Sequence, residues 1–568
     1  MSEENERRSW SVKKGEELDC IVRESEQYSP RRLVQSILDA IRAPLRRDNH
    51  ITTLFGCRLT GKSTAMKNAV GLLSQEERAK TVYIEASRQL SMGRLSGELA
   101  AAYRDGCRIA FIDEASWVEG FGQGCSHLAG IAFPDMKFVI SGTNSLLLHI
   151  LRKEEIFSHG SLVPTMPIAF GEWKEKLGSD LTLKDFLCNG GTMVRNFLDI
   201  EDGVQQYAFT TLGQNAAESM DEFPEKKIFK RLWPLHKAGA LPAVLCFIVE
   251  SVAHNLAAGD LQEALSDFNT QDRKILSAYA LRLLTEAWSP ECIEKACNRY
   301  IKNYNMRVAA DVFTEHIAFG DAEKESVVKA LRDTRFIRPW DVRRFSIKTK
   351  EEKDLDEEEY FLTMPGIRYR LTLTALEEAK RSFAGMAAFP GKMEAQKTLA
   401  EYGYGNLGGI LEECVFQEIH DSLDGFEIFK ARFDDEDNAE EENYGEIDIV
   451  VADRDKNDTY LFEVKNRKKR PSELSLRLRD KRIADALKNN GYNIKGRFLV
   501  TGLDKEKTFT DNDGISYDTI PAGSFMEALW NNPKKAWDCI FKKAEWQQDV
   551  TKKNDKKEQP SVTSFLCM

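Results

Sequence analysis

The residue pattern with the most definite chemistry is G-x-x-x-x-G-K-S, which lies within Leu54–Thr64 and contains Gly56, Gly61, Lys62 and Ser63. Two glycines allow the backbone to form a tight loop whose N–H groups point at phosphate oxygens. The lysine reaches the β- and γ-phosphates, and the serine hydroxyl is a ligand for Mg²⁺. The pattern therefore predicts a site for ATP and its magnesium ion.

The segments on both sides of this loop are those that the chemistry requires. Ile51–Phe55 is rich in β-branched and aromatic residues and predicts a buried strand. Ser63–Leu73 carries apolar residues at helical spacing and predicts a helix, whose N-terminus adds its dipole to the anion site. A glycine-rich turn before an ordinary helix is the alternative, and this strand–loop–helix context argues against it.

Acidic and polar residues follow two later strands. Cys107–Glu114 reads as an apolar strand that ends in Asp113 and Glu114. We expect Asp113 to hold Mg²⁺ through water and Glu114 to polarise the attacking water. After the next strand, Thr143 and Asn144 are candidates for sensing the γ-phosphate, although they could instead cap the following helix. The residues predicted to bind nucleotide are Gly56, Gly61, Lys62, Ser63, Thr64, Asp113 and Asn144, with Ser63 and Asp113 as magnesium ligands and Glu114 as a catalytic residue.

A second group of acids and a lysine lies in the C-terminal third. Asp448 and Glu463 are on two strands joined by a turn, and alternation puts Lys465 on the same face as Glu463. This is the D…(E)-x-K arrangement of metal-dependent nucleases, in which carboxylates bind Mg²⁺, the metal activates water, and the lysine orients the nucleophile. Glu412, on a preceding predicted helix, is a further candidate ligand. A surface hairpin with ordinary salt bridges is the alternative.

Composition limits the class of protein. The 568 residues are 42% hydrophobic and 30% charged, which suggests a globular chain of about three or four domains. Met1–Lys14 is polar and no apolar run reaches membrane length, so we expect a cytoplasmic protein without a membrane partner. The net charge of −11 does not favour nucleic acid, but Lys465–Arg482 holds nine basic residues against two acids. That stretch is either a DNA contact or a solvated helix face.

With these motifs, the chain resembles a family of unknown function: prokaryotic AAA-type ATPases with a winged helix and a C-terminal PD-(D/E)xK nuclease-like domain. The blocks that carry the resemblance are G-x₄-GKS (56–63), IAFIDEAS (109–116), SGTNSLLL (141–148), MPIAFGEW (166–173), LCNGGTM (187–193), EYFLTMPGIRY (359–369), GGILEECVF (408–416), GEIDIVV (445–451) and LFEVK (461–465). The resemblance implies an ATP and Mg²⁺ site at the first group of residues. It implies a nuclease-like site with Glu412, Asp448 and Glu463 as metal ligands and Lys465 as a catalytic residue.

The expected fold class is α/β and multidomain: a P-loop parallel sheet with covering helices, a helical and winged-helix middle, and a C-terminal restriction-endonuclease-like α/β domain. The predicted segments are an N-terminal segment and leading helix (1–49), the ATPase core (50–180), a helical lid (181–270), a helical and winged-helix region (271–400), the nuclease-like domain (401–545) and a disordered tail (546–568). Met1–Ser29 is expected to be poorly ordered, a leading helix to span Pro30–Ile41, and Lys348–Glu359 to be a charged loop.

The expected function is ATP hydrolysis coupled to DNA binding, with a nuclease activity that the residues leave undecided. A nucleotide-gated binding or signalling switch with an inactive nuclease-like fold is the alternative. The partners to be expected are nucleotide and DNA, and a homo-oligomer or a protein partner is left open.

Overall fold

The computed structural model describes most of the chain, with gaps. The described residues are 10–27, 29–46, 50–125, 128, 132–153, 160–194, 203–222, 233–246, 321–371, 373, 407–435, 443–466, 476–502, 507–510 and 515–552. They form two sheets covered by helices, which confirms a mixed α/β architecture.

The first sheet is built around the strand that precedes the G-x-x-x-x-G-K-S loop. Its strands are β1 (Ser11–Lys14), β2 (Ile51–Phe55), β3 (Thr81–Glu85), β4 (Ile109–Asp113), β5 (Lys137–Ser141) and β6 (Gly160–Pro164), in the spatial order β1-β3-β4-β5-β2-β6. Strands β2 to β6 run parallel, as expected for short apolar strands separated by helices. The carboxyl ends of β2 and β4 therefore lie at the same edge of the sheet.

Helices cover both faces of this sheet. They are α1 (Asp19–Ser25), α2 (Leu33–Arg42), α3 (Lys62–Gly71), α4 (Gln75–Ala79), α5 (Met92–Arg104), α6 (Phe121–Gly124) and α7 (Ser145–Lys153). The next helices, α8 (Phe170–Leu177) and α9 (Leu183–Asn189), instead bury their apolar residues in the cluster of the second sheet. Helices α1, α2 and α3 share one buried apolar cluster, and α5 and α7 contribute to another. Every residue of the inner strands β4 and β5 is buried, which explains their mostly apolar sequences, whereas the edge strands β1 and β6 are only partly buried.

The N-terminal segment is more ordered than its polarity suggested. From Trp10 onward it forms β1, which pairs antiparallel with β3, and then α1. Leu18, just before α1, and Ile21 within it are fully buried in the cluster shared with α2 and α3, which anchors this segment. The leading helix begins at Leu33 rather than at Pro30, and its first turn has no side-chain cap.

The middle of the described chain is helical. Its elements are α10 (Gly203–Ala208), a π-helical turn (Phe209–Gln214), α11 (Asn215–Glu222), α12 (Trp233–Lys237) and α13 (Asp321–Asp333). Residues 247–320, which include the end of the predicted lid and the first part of the region after it, lie outside the described residues. The described helices pack on the first sheet through buried residues such as Tyr207, Leu212 and Met220.

The second sheet occupies the C-terminal half. Its strands are β7 (Ile337–Ser346), β8 (Glu352–Leu362), β9 (Glu427–Asp434), β10 (Asn443–Asp453), β11 (Asp458–Lys465), β12 (Asn493–Thr501), β13 (Lys507–Thr510) and β14 (Ser516–Pro521), in the order β13-β14-β12-β11-β10-β9-β7-β8. The accompanying helices are α14 (Gly408–Ser422), α15 (Leu476–Arg479), α16 (Lys481–Asn489), α17 (Ala522–Asn531) and α18 (Pro533–Lys552). Helix α18 includes the first residues of the predicted disordered tail, and residues 553–568 lie outside the described chain.

The hairpin of β7 and β8 extends this second sheet. The predicted helical and winged-helix region (271–400) includes α13, β7 and β8, but β7 pairs in parallel with β9, with Arg344 opposite Arg432. The hairpin thus shares a sheet with strands beyond the predicted boundary at residue 400. The acidic stretch Lys348–Glu359 is mostly strand, because β8 begins at Glu352 and its backbone pairs with β7.

Helix α8 joins the two halves. Phe170 and Trp173 on α8 belong to the same buried cluster as Phe525 on α17. Gly171 allows the close approach, since a Cβ there would lie 2.5 Å from the Cβ of Trp530. Residues that follow the first sheet therefore pack against the second. No helix within the described ranges is long and apolar enough to cross a membrane.

Candidate functional site

The phosphate loop has the geometry that its glycines predict. It runs from the end of β2 to the start of α3. Gly56 has φ +145°, and a Cβ there would clash with the carbonyl oxygen of Thr165. Gly61 has φ +81°, in the left-handed region, and a Cβ there would lie 3.0 Å from Cγ of Met193. Both positions therefore require glycine for a structural reason.

Lys62 lies inside the loop that it is predicted to serve. Its Nζ donates to the carbonyl oxygens of Gly56 at 3.0 Å and Cys57 at 2.7 Å. The residue is 8% exposed, and burial lowers the pKa of its ammonium group, an effect opposed by Cys57, Glu114 and Asp113. The charge is thus held at the centre of the loop, where a phosphate would provide a better partner than two carbonyls.

Asp113 is the hub of the predicted magnesium site. Its Oδ1 accepts hydrogen bonds from the hydroxyls of Ser63, at 3.0 Å, and Ser141, and its Oδ2 accepts from the hydroxyl of Tyr83 at 2.9 Å. Ser63 and Asp113 thus offer a hydroxyl and a carboxylate side by side, a donor set that suits Mg²⁺. Tyr83, which is fully buried, was not predicted from the sequence, because its contact depends on how β3 and β4 align.

Glu114 is held by Thr143. Its Oε2 accepts from the backbone N–H of Thr143 at 2.9 Å and from the Thr143 hydroxyl. Glu114 has a backbone φ of +58°, which is uncommon for a residue other than glycine. Burial raises the pKa of its carboxyl group. Both hydrogen bonds from Thr143 reach the same oxygen and fix the position of this carboxylate.

Asn144 faces away from this edge of the sheet. Its Nδ2 donates to the carbonyl oxygen of Asn215 at 2.9 Å, and its Oδ1 accepts from the backbone N–H of Leu147 and the hydroxyl of Ser219, both at 3.0 Å. The side chain is 1% exposed. Of the two candidates for sensing the γ-phosphate, Thr143 is the one that the structure brings to Glu114, and Asn144 fixes α7 to α11.

Arg31 connects the phosphate loop to the rest of the molecule, and the sequence pattern did not single it out. Its Nη1 donates to the carbonyl oxygen of Thr60 in the loop. Its Nε and Nη2 donate to the carboxylate of Glu172 on α8 at 2.7 and 3.0 Å. Both side chains are almost fully buried, so this bidentate pair is a fixed link between the loop and α8. At the start of α8, the backbone N–H of Phe170 donates to Oε1 of Glu418 on α14 at 2.9 Å.

The second acidic group converges on one face of the second sheet. Lys465 Nζ lies 3.2 Å from Oδ2 of Asp448 and 3.0 Å from Oε1 of Glu463. The pairing of β10 with β11 continues toward these residues from Ile449 opposite Phe462, and Val464 donates its backbone N–H to Asp448 at 2.7 Å.

One carboxylate oxygen each of Asp448 and Glu463 is suited to bind a hard cation. Asp448 Oδ1 and Glu463 Oε2 are buried and have no hydrogen-bond partner among the described residues. Burial, and then the charge of Asp448, raises the pKa of Glu463. Crowded carboxylates with unpaired oxygens fit Mg²⁺ or Mn²⁺ better than zinc.

Glu412 is paired with a different lysine. Its Oε1 lies 2.7 Å from Nζ of Lys430 on β9. Burial raises the pKa of Glu412 well above its ordinary value, and Asp448 adds to the effect. Among the described residues no three acidic, histidine or cysteine side chains are arranged to hold a metal ion. The structure therefore brings Asp448, Glu463 and Lys465 together and leaves Glu412 paired with Lys430.

The basic stretch is only partly described, since Lys468, Lys469 and Arg470 fall outside the described residues. Its later part surrounds an aromatic ring. The guanidinium groups of Arg477 and Arg482 lie 5.4 and 4.2 Å from the ring centroid of Tyr444, at the start of β10. Proteins that bind DNA combine basic and aromatic side chains in this way. The same cation–π contacts also occur on surfaces that bind no partner.

Comparison with known families agrees with the first site. Residues 48–173 match the family described as AAA domain. The match supports a P-loop ATPase of the AAA type in this part of the chain. It leaves the C-terminal half, with its second acidic group, outside the matched residues.

Two solved structures resemble the chain only weakly. A Walker-type ATPase of Pyrococcus abyssi is 14% identical, with a TM-score of 0.30, and the match covers 61% of this chain and 95% of that one. Cdc6p from Pyrobaculum aerophilum is 13% identical, with a TM-score of 0.24, and the match covers 64% of this chain and 98% of that one. Scores this low do not establish a shared overall architecture. No curated protein matched the chain.

Proposed function

We propose that this chain is an ATP-hydrolysing switch whose nucleotide state controls a DNA-directed, magnesium-dependent site on the second sheet. The observation that carries the ATPase part is the contact of Ser63 with Asp113 at 3.0 Å, beside a phosphate loop that encloses Lys62. In this role Lys62 exchanges the loop carbonyls for the β- and γ-phosphates. Glu114 leaves Thr143 and polarises the attacking water. Mg²⁺, when bound, would neutralise charge on the phosphates.

ATP binding and phosphate release by the purified full chain test this part. Lys62→Ala should abolish turnover and weaken ATP binding strongly, because a phosphate charge is left without its partner. Lys67→Ala is a matched control, since Lys67 is on the same helix and pairs with Glu24 near the surface. Parent-like turnover by Lys62→Ala would show that the loop is not the ATP site.

The convergence of Asp448, Glu463 and Lys465 supports a phosphodiester-cleaving role for the second sheet. Asp448 and Glu463 would hold the divalent cation, and Lys465 would orient the nucleophile. We expect Mg²⁺-dependent cutting of single- or double-stranded DNA that Asp448→Asn eliminates. Asp455→Asn, in the exposed turn between the same strands, should cut like the parent.

A DNA partner also predicts a salt-dependent affinity. Replacing Arg477 and Arg479 by glutamine should weaken binding equally across sequences. On duplex DNA it should also reduce the slope of log affinity against log salt by about 0.9 for each phosphate that the protein no longer neutralises. If the DNA affinity and the salt slope both stay unchanged, Arg477 and Arg479 belong to an ordinary solvated surface. Absence of any salt-dependent DNA affinity in the parent would favour a protein partner instead.

The second candidate function is a nucleotide-gated switch that binds DNA without cutting it. The pairing of Glu412 with Lys430 favours it, because it leaves two converging carboxylates among the described residues where three were predicted. The two functions differ in one measurement. A switch would show DNA affinity that depends on ATP, with no cleavage in Mg²⁺ or Mn²⁺ at any nucleotide state.

Coupling between the two sites is supported by the packing of α8. Arg31 bonds both to the loop carbonyl of Thr60 and to Glu172, while α8 also bonds to Glu418 on α14, the helix that carries Glu412. Movement of the phosphate loop on nucleotide binding would therefore be transmitted to α14 through buried contacts: the charge-assisted bonds of Arg31 and the hydrogen bond from Phe170 to Glu418.

A further inference from the structure

Lys430 lies in the second sheet at a position that neither acidic motif includes. It is 9% exposed, and its Nζ sits 4.4 Å from the ring centroid of Trp340 on β7. Trp340 is itself 4% exposed and stacks on Phe416 of α14 at 4.3 Å between centroids. The ammonium group is therefore fixed between a packed aromatic ring and the carboxylate of Glu412, at 2.7 Å.

The two lysines of this face divide the carboxylates between them. Lys465 bridges Asp448 and Glu463, each of which keeps a buried oxygen with no partner in the described chain. Lys430 forms an ion pair with Glu412, whose Oε1 is also buried and makes no hydrogen bond within the described chain. The carboxylates are near enough that Asp448 contributes to the raised pKa of Glu412, after burial.

We propose that Lys430 is a positioning residue that keeps the Glu412 carboxylate out of the divalent-cation site formed by Asp448 and Glu463. This role rests on the proposed function, because it presumes that those two carboxylates bind a cation. The site then takes Mg²⁺ or Mn²⁺ with two protein carboxylates. A third joins only when Glu412 leaves Lys430. An ammonium ion at 2.7 Å competes with a divalent cation for the same oxygen, and its positive charge repels that cation.

Removing the ammonium should therefore tighten cation binding. In the full chain without nucleotide, with Mn²⁺ alone as the probe, titration calorimetry should give at least tenfold higher affinity for Lys430→Met than for the parent. Methionine keeps an unbranched stem over Trp340. Lys430→Arg keeps the charge and should bind Mn²⁺ like the parent. Lys353→Met, which removes an ion pair with Asp434 at 3.0 Å in the same sheet, should also match the parent.

Unchanged or weaker Mn²⁺ binding by Lys430→Met would overturn this role of Lys430. Asp448→Asn tests the cation site itself. If this variant retains the parent's Mn²⁺ affinity, the cation binds elsewhere, and both the proposed cation site and the proposed role of Lys430 are wrong. If neither the parent nor Lys430→Met binds Mn²⁺, both are likewise wrong. Binding that appears only in Lys430→Met would support the proposal.

A second variant tests the proposal even if Lys430→Met does not fold. Glu412→Gln removes the carboxylate that Lys430 is proposed to withhold. Its Mn²⁺ affinity should stay within twofold of the parent's, because Glu412 does not contribute to the ion in the parent. A tenfold loss of affinity would mean that Glu412 is already a ligand, which contradicts the proposal.

Discussion

The buried carboxyl group of Glu418 should make the stability of this protein depend on pH. Glu418 lies on α14 at the contact with α8, is 9% exposed, and accepts the backbone N–H of Phe170 at 2.9 Å. Burial raises its pKa to about 8 from an ordinary 4.5, although the Phe170 hydrogen bond and Arg32 oppose the effect. At neutral pH the carboxyl group is therefore mostly protonated in the folded chain and ionised in the unfolded chain.

The sign and size of the effect follow from this difference. Below pH 4.5 both states are protonated, and the folded state carries no penalty from Glu418. As the pH rises from 4.5 to about 8, only the unfolded chain releases the proton, so the free energy of unfolding falls, and above pH 8 the loss is complete. A difference of about 3.5 pH units, at about 1.4 kcal/mol per unit, corresponds to a loss of about 5 kcal/mol.

Glu418→Gln removes the titrating group while retaining an oxygen that can accept from Phe170. We expect the parent and the variant to have similar free energies of unfolding near pH 5, and the variant to be more stable by several kcal/mol at pH 8.5. Urea unfolding monitored by tryptophan fluorescence at a series of pH values measures this. Glu26→Gln, at an exposed position, serves as the control and should follow the parent. Parallel pH profiles of Glu418→Gln and the parent would refute the reasoning.

Three further substitutions test the nucleotide site and its link to α8. Glu114→Gln should keep ATP bound while turnover falls by about 10²-fold or more, and equal turnover with the parent in a phosphate-release assay would exclude Glu114 as the base. Tyr83→Phe should cost about 1–3 kcal/mol in denaturant unfolding, because Asp113 loses a buried donor; no loss would show that the hydroxyl is not needed there. Arg31→Met should cost about 3–5 kcal/mol, since it removes the bidentate partner of buried Glu172, and a change below 1 kcal/mol would contradict that link.

The phosphate loop could be predicted because everything that defines it is contiguous. The strand, the glycines, Lys62 and the helix all lie within Ile51–Gly71, so short-range patterns are enough. The pair Asp448 and Glu463 could be proposed for a related reason: two strands joined by a tight turn pair locally, and alternation then decides which side chains share a face.

Other features depended on contacts between distant segments. Polarity suggested that the N-terminus would be poorly ordered, but Ser11–Lys14 adds to the sheet beside β3. The acidic run near Glu352 looked like a loop, because nothing nearby in sequence shows that it will pair with β7. The parallel pairing of β7 with β9 joins residues almost ninety positions apart, and it places two strands of the predicted winged-helix region in the second sheet.

By itself, then, the sequence determined the presence of a P-loop, the strand that ends in Asp113 and Glu114, and the alternation that makes Asp448 and Glu463 candidates for one site. Only the tertiary structure decided the partners of those groups: Tyr83 for Asp113, Thr143 for Glu114, and Lys430 for Glu412. The physical reason is the range of the interactions. Backbone propensity and side-chain periodicity act over a few residues, whereas hydrogen bonds and ion pairs between elements depend on sheet order and helix packing across the whole fold.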